Sequence, residues 1–236
     1  MSNRPTFRTQ LCDILDIEYP IMLAGMGSMG KATPPALVAA VSNAGGMGVI
    51  GGAGLEPETI RQKIRETRKL TDKPIGVDLL LPVNLDINAE PTRTMLRQQI
   101  ERDYPKHYAL MREQLAKYGV EEVLVQSETV VSVDQTRAQV NVVLEEDVQV
   151  FAAGLGDPSW VAPMAREKGM TVVGLVGSPR NAERQAAAGC DIVIAQGYEA
   201  GGHTGKIASF PLIPQVVDAV APIPVVAAGG IADGRG

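Results

Sequence analysis

The chain has 236 residues, of which 45% are hydrophobic and 21% are charged, and it carries a formal net charge of −5. This length and composition predict one large packed core and exclude a disordered or collagen-like chain. Because the charge is negative and no long basic run occurs, nothing favours a nucleic acid or an anionic membrane surface as partner. We therefore expect a small-molecule substrate.

The cysteines and the N-terminal residues indicate the compartment. Cys12 and Cys190 lie far apart, without CxxC or histidine-interleaved spacing, which predicts neither a disulfide framework nor a zinc site. Residues 1–11 lack the apolar stretch of a signal peptide, and no later apolar run approaches the roughly 18 residues of a spanning helix. We expect a cytoplasmic protein without a membrane span.

After a polar start, short apolar segments alternate with helix-like segments. We predict strands at 19–24, 47–50, 74–81, 148–153, 170–176, 191–196 and 223–228. Helices are predicted at 36–44, 57–70, 158–168, 179–188 and 210–220. Thr33 is the expected N-cap of the first helix, which Gly45 and Gly46 end. Continuous apolar strands that alternate with helices indicate a parallel sheet with both faces covered.

One region breaks this alternation. Residues 83–146 are richer in charged and polar residues, and they predict an amphipathic helix over 92–118 but no definite element over 120–146. We interpret 83–146 as an insertion after the third strand. His107 lies within it and is interpreted as an ordinary histidine without a functional role.

The loops after the strands favour a closed α/β barrel of the TIM (β/α)8 type over an open doubly wound sheet. Glycines follow almost every predicted strand, at positions 25, 27, 51, 52, 154, 156, 177, 197, 229 and 230. They are expected where one face of a barrel approaches a large flat ligand, and turn glycines without that role are the alternative. We predict a single barrel domain over residues 1–236.

Residues 25–30 read GxGxxG between a strand and a helix, a pattern found in nicotinamide dinucleotide sites. That pattern also requires an acidic residue about 20 residues further on, at the end of the second strand. The chain has Ile-Gly-Gly at 50–52, and Glu56 comes too late. We therefore do not predict a dinucleotide site of this type.

The last predicted strand runs into paired glycines, Gly229 and Gly230, followed by a cap-like Asp233. Such a turn leaves backbone N–H groups free where a phosphate can bind, late in the barrel where phosphate sites recur. An ordinary strand-to-helix turn is the alternative.

A glycine-flanked histidine follows the strand at 191–196. Gly201 and Gly202 have no side chain, so a planar ring can approach the backbone while His203 faces the cavity. Histidine is the side chain whose ordinary pKa suits proton transfer near neutrality. Glu199 is a candidate catalytic or positioning carboxylate, and a solvated or capping role is an equal alternative.

These residues resemble the nitronate monooxygenases, formerly called 2-nitropropane dioxygenases, and the related flavin-dependent enoyl-acyl-carrier-protein reductases. The resemblance covers 19–52, 74–80 and 148–236, and 196–205 and 227–236 are its most specific stretches. It implies a TIM-barrel, flavin-dependent oxidoreductase that holds FMN at the carboxyl ends of the strands.

The same resemblance implies roles for individual residues. His203 is the implied catalytic base. The implied cofactor-binding residues are Ala24, Gly25, Met26, Asp78, Gln196, Gly201, Gly202, Gly229 and Gly230.

The sequence departs from the family pattern at three places. Asp78 stands where many relatives have asparagine, which replaces a neutral amide by an anion or by an acid of raised pKa and puts a flavin contact there in doubt. The insertion at 83–146 is longer than expected, and a lid and an oligomer contact are its candidate roles. The chain stops at Gly236, before the helix, eighth strand and second phosphate-binding loop of the family, which leaves the barrel unclosed and suggests a fragment.

The resemblance implies FMN-dependent oxidation of alkyl nitronates by molecular oxygen, with His203 taking the α-proton of a neutral nitroalkane. The expected partners are a small-molecule substrate and oxygen, and assembly into a homo-oligomer is left open. One alternative is an enoyl-thioester reductase that uses FMN and NAD(P)H. A second is a non-catalytic small-molecule-binding protein or a truncated barrel.

Overall fold

The computed structural model describes residues 7–26, 31–82, 92–120 and 132–235. The helices in these ranges are α1 (Gln10–Leu15), α2 (Pro35–Asn43), α3 (Pro57–Arg68), α4 (Arg93–Asp103), α5 (Pro105–Lys117), α6 (Val133–Glu145), α7 (Ala162–Glu167), α8 (Pro179–Ala187) and α9 (Ser209–Val220). The strands are β1 (Gly48–Gly51), β2 (Ile75–Leu81), β3 (Val150–Gly156), β4 (Thr171–Val176), β5 (Ile192–Gln196) and β6 (Val225–Ala228).

The six strands form one parallel sheet in the order β1-β2-β3-β4-β5-β6. Each strand therefore pairs with the next one along the chain, and helices connect them. This arrangement confirms the predicted α/β alternation and gives a curled sheet of the TIM-barrel type.

The first predicted strand, 19–24, is reduced to a single parallel bridge between Met22 and Met47. Two hydrogen bonds form it: Leu23 N–H donates to Met47 O at 2.9 Å, and Met47 N–H donates to Ile21 O at 2.9 Å. Pro20 has no N–H to extend the ladder. The segment occupies the expected place beside β1 but is too short to count as a strand.

Helix α1 was not predicted, because six residues are too few to reveal a helical period. Its Leu11, Cys12 and Leu15 are buried in a cluster with Met47, Val49, Val150, Ala152, Val173 and Ile192. Val150 and Ala152 are two residues apart on β3, and Ala152 pairs with Val173, which pairs with Ile192, so these side chains share one face of the sheet. The helix therefore fills the inner side of the curled sheet.

The opposite face packs against the connecting helices. Ile50, Val77, Leu79 and Phe151 are buried there together with Ile60 of α3. Both sheet faces are thus covered by apolar side chains, as the continuous apolar strands predict.

Helix α6 lies within the predicted insertion but contributes to this same core. Val140 and Val143 are fully buried among the residues of β2 and β3. Glu146, just after the helix, accepts hydrogen bonds from Arg61 at 2.7 Å and from Arg65 at 2.8 Å, both on α3. Helix α6 is therefore a helix of the barrel. Residues 120–146 lacked an assignment because their apolar residues, mostly valines, follow no clear helical or strand period.

The chain folds into two compact units, Met1–Val83 with Thr136–Gly236 and Asn84–Gln135. The second unit contains α4 and α5, neither of which buries a residue. The single helix predicted over 92–118 is wrong, because the chain leaves the helical conformation at Tyr104. Pro105 then starts α5, and a proline disfavours helical geometry in the residue before it.

Among the described residues, no helix has the length and apolar character that crossing a bilayer requires. Cys12 and Cys190 are both buried free thiols.

Candidate functional site

The carboxyl ends of the strands meet at one edge of the sheet, where loops of parallel α/β barrels carry their sites. The strand register places Gly51 opposite Asp78, and Asp78 opposite Ala152. Farther along the sheet, Gln196 lies opposite Ala228. Most of the predicted site residues are on or just after these strand ends.

The backbone at Gly25 and Met26 is held directly against the end of β1. The Gly51 N–H donates to Thr33 Oγ1 at 3.0 Å, and the Thr33 hydroxyl donates to Met26 O at 3.3 Å. A Cβ at Gly51 would lie 2.7 Å from Met26 O, so only glycine fits there. Ala24 and Met26 are exposed at this edge.

Thr33 therefore does not act as the predicted N-cap of α2. Pro34 occupies the cap position, and the cap has no side-chain hydrogen bond. The fully buried Thr33 hydroxyl instead joins the 25–26 backbone to β1. Its sequence neighbours, two prolines, suggested a cap because proline is common in the first helical turn.

Asp78 is clamped between two glycines at this edge. A Cβ at Gly25 would lie 2.4 Å from Asp78 Cβ, and a Cβ at Gly154 would lie 2.7 Å from Asp78 Oδ1. Oδ1 is shielded from solvent and has no hydrogen-bond partner among the described residues. Burial raises the pKa of Asp78 to about 7, and the Gly154 backbone N–H opposes this rise.

The loop after β5 is fixed at its base. The Tyr198 N–H donates to Ile207 O at 3.0 Å and closes the loop. Gly205 packs so closely on Gly177, after β4, that a Cβ at Gly205 would lie 2.6 Å from Gly177 O. The loop is thus anchored to the ends of two neighbouring strands.

Glu199 has the capping role that was one of its two predicted alternatives. Its carboxylate accepts from the Ser209 backbone N–H, at the start of α9, at 2.9 Å, and the Ser209 hydroxyl lies 2.8 Å from the same oxygen. Its own backbone N–H, and then that of Ser209, lower the pKa of Glu199. A carboxylate at a helix N-terminus is stabilised as an anion.

Gly201, Gly202 and His203 form the exposed tip of this loop. No atom lies within 4 Å of a Cβ placed at Gly201 or Gly202, so the space beside their backbone is open. Gln196 Nε2 donates to Gly201 O at 3.3 Å. His203 is exposed and has no hydrogen-bond or ring partner within the described part of the chain.

The turn after β6 has the geometry of an anion-binding site. Gly229 and Gly230 both have positive φ, at 104° and 78°. Within the described ranges, the backbone N–H groups of 229–232 have no acceptor. Asp233 accepts from the Arg235 backbone N–H at 2.9 Å, as a cap-like aspartate does. Successive N–H groups in a turn with positive φ form a concavity for phosphate oxygens.

The turn after β6 directly contacts the loop after β5. A Cβ at Gly229 would lie 3.2 Å from Ala200 N, and one at Gly230 would lie 3.6 Å from Glu199 Cβ. The Ser209 hydroxyl also lies 2.8 Å from Gly229 O. The structure therefore brings Gly229, Gly230 and the His203 loop together.

One predicted segment falls partly outside the described residues, and two residues of the candidate site were missed. Residues 27–30 of the GxGxxG segment lie outside the described residues, so only its first two residues are seen. Thr33 and Ser209, which position the 25–26 backbone and the Gly229 turn, were missed as parts of the site. A lone threonine or serine carries no sequence signal for such long-range bonds.

Comparison with known proteins identifies the relatives of this arrangement. A Staphylococcus saprophyticus protein named "Probable nitronate monooxygenase" is 33% identical over 240 residues, covering 97% of this chain and 62% of that protein. FabK from Thermotoga maritima has a TM-score of 0.71 at 34% identity, covering 98% of this chain and 57% of that one. Nitroalkane oxidase from Streptomyces ansochromogenes has a TM-score of 0.71 at 30% identity, covering 94% of this chain and 61% of that one.

The chain thus spans 57% to 62% of the length of these three proteins. The family model described as nitronate monooxygenase matches residues 8–236, which is nearly the whole sequence. The chain therefore belongs to the nitronate monooxygenase family.

Proposed function

We propose that the protein is an oxidoreductase that binds FMN and oxidises alkyl nitronates with molecular oxygen. One observation carries the proposal: the glycine turn after β6, with its free N–H groups, contacts the open loop that bears His203. Membership of the nitronate monooxygenase family supports the choice of nitronates as substrates.

The turn after β6 fits the phosphate of FMN. A phosphate oxygen needs donors, and the N–H groups of 229–232 have no acceptor among the described residues. The two nearby carboxylates already have partners: Glu199 accepts from the Ser209 backbone N–H, and Asp233 accepts from Arg235. In this proposal Gly229 and Gly230 hold the phosphate.

The open edge between two backbone segments fits a planar ring. The exposed 24–26 backbone lies on the β1 side, and Gly201 and Gly202 leave their surroundings free of side chains on the β5 side. Gln196, the last residue of β5, donates from its amide to Gly201 O on the same side. We assign these residues to the ring of the flavin.

When bound, the flavin supplies the electron acceptor for the substrate. His203 supplies the proton acceptor: a neutral imidazole nitrogen takes the α-proton of a nitroalkane and leaves it as the anionic nitronate. A substrate that is added already as the nitronate does not need this proton transfer. Exposure of His203 on a loop tip gives a substrate direct access to it.

Oxygen consumption tests the proposal. With FMN present, we expect the protein to consume oxygen when an alkyl nitronate is added, without any nicotinamide. Oxidation of NAD(P)H coupled to an enoyl thioester, with no response to nitronate, would replace the proposal by the reductase alternative. Absence of both reactions together with absence of bound flavin would favour a non-catalytic protein.

A further inference from the structure

We propose that Asp78 binds the ring of its ligand as a neutral carboxylic acid that donates a hydrogen bond, so that ligand binding takes up one proton. The ligand class is a planar ring that presents an acceptor, either a carbonyl oxygen or an unprotonated ring nitrogen. This inference rests on the proposed function, and it adds the protonation state of the site.

The carboxyl group is held in place, and one of its two oxygens, Oδ1, lacks a hydrogen-bond partner among the described residues. Gly25 and Gly154 close on it from two sides so tightly that neither tolerates a Cβ. Oδ1 is buried with no hydrogen-bond partner in the part of the chain that the structure describes. A buried oxygen without a partner is destabilising, and a ligand that supplies the missing partner accounts for its presence in a folded protein.

No charged side chain among the described residues compensates a negative charge on Asp78. Each element packed against it presents an uncharged residue: Gly25 from the first segment, Gly51 from β1, and Ala152 and Gly154 from β3. Within the described ranges, burial is the larger influence on its ionisation, and the Gly154 backbone N–H is the other. Without a cation, the protonated acid is the form that this environment favours.

Binding of a ring would strengthen that preference. Asp78 keeps some accessible surface in the absence of ligand. A planar ring over the 24–26 backbone would remove the remaining water, which penalises the carboxylate further. The protonated carboxyl, in contrast, offers an O–H donor to a carbonyl oxygen or ring nitrogen. The pKa of Asp78 therefore rises on binding, and above neutral pH a proton enters with the ligand.

Linkage fixes the size of the effect. Where the free protein is ionised and the complex is protonated, the affinity falls about tenfold for each unit of pH. Burial raises the pKa of Asp78 in the free protein to about 7, so this dependence begins above pH 7. The second ionisation of the FMN phosphate, with a pKa of about 6, is nearly complete by pH 8.

The test is calorimetric titration of the apoprotein with FMN at pH 8, in buffers of different ionisation enthalpy, which counts protons taken up. We expect close to one proton for the unaltered protein and none for Asp78→Asn, with FMN still bound by the variant. The affinity of the unaltered protein should fall about tenfold between pH 7.5 and 8.5. Asp218→Asn, at an exposed position of α9, is the matched control and should behave like the unaltered protein.

Two results would overturn the inference. The first is that the unaltered protein binds FMN at pH 8 without taking up a proton. That result would leave the proposed function intact, and it does not depend on whether the variant folds. The second is that the unaltered protein and Asp78→Asn take up the same number of protons, which would also leave the proposed function intact. Failure of FMN to bind at any pH would overturn both proposals together.

Discussion

Asp78 also predicts how the stability of the ligand-free protein depends on pH. Burial raises its pKa from 3.8 to about 7 in the folded protein, so the folded state holds this proton more tightly than the unfolded chain does. The resulting stabilisation is complete below pH 4. It is lost as the pH rises from about 4 to about 7, because the folded protein must then bury a carboxylate.

The magnitude follows from the two pKa values. Each pKa unit is worth about 1.4 kcal/mol, so the difference between 3.8 and about 7 corresponds to a loss of up to about 4 kcal/mol. Asparagine has nearly the same shape as aspartic acid and never ionises. Asp78→Asn should therefore match the unaltered protein at pH 4 and exceed its free energy of unfolding at pH 8 by up to about 4 kcal/mol.

Urea unfolding followed by circular dichroism, at intervals from pH 4 to pH 8, measures this difference. Asp218→Asn at the exposed surface controls for the loss of one negative charge. Parallel pH profiles for Asp78→Asn and the unaltered protein would refute the reasoning, because the buried carboxyl would then have no raised pKa.

Three further predictions concern the other parts of the site. His203→Ala should lower turnover of a neutral nitroalkane at least about 100-fold but lower turnover of the nitronate less than about 10-fold, in oxygen-consumption assays with His107→Ala as control. Equal losses for both substrates would remove the proton-acceptor role. Gly229→Ala would force a Cβ to within 2.7 Å of Ser209 Oγ at a φ of 104°, so titrations should show weaker binding of FMN relative to riboflavin. The control is Gly169→Ala, at an open turn where φ is also positive, at 73°. If Gly229→Ala and this control have the same ratio of FMN affinity to riboflavin affinity, the phosphate site is contradicted. Thr33→Val should lower the free energy of unfolding, measured in urea, by about 1–3 kcal/mol, because Met26 O and the Gly51 N–H lose their partner. Thr33→Ser keeps the hydroxyl and should lower it much less. Equal losses for the two variants would contradict the bridging role.

The alternation of strands and helices could be predicted because apolar runs and their glycine or proline boundaries are local signals. The same signals failed where tertiary contacts decide. The segment 19–24 is apolar like its neighbours, yet only the bridge at Met22 forms. Helix α1 carries three buried residues within six, a spacing too short to reveal a period, and it is fixed by contacts with distant strands.

The site shows the same division. The glycines at 229 and 230 and the histidine at 203 could be named as candidates because paired glycines after a strand, and a histidine beside glycines, are visible in sequence. The roles of Thr33 and Ser209 could not, because each depends on bonds to residues far away along the chain. Glu199 was left open between catalysis and capping, and the position of the Ser209 N–H decides for capping.

Asp78 illustrates what the sequence can and cannot supply. Its residue type and its place on β2 could be read in advance, and so could the question of how an acid fits a flavin site. Its shielding depends on Gly25 and Gly154, which approach it from different segments of the chain. The protonation state of the site is therefore a property of the folded structure.

The most direct test of the proposed function is the absorbance spectrum of the purified protein with FMN, recorded without oxygen before and after an alkyl nitronate is added. We predict a protein-bound flavin spectrum that the nitronate bleaches, that NADPH leaves unchanged, and that returns when air is admitted. A bound flavin that NADPH bleaches and nitronate does not, or a protein that binds no flavin, would contradict the account.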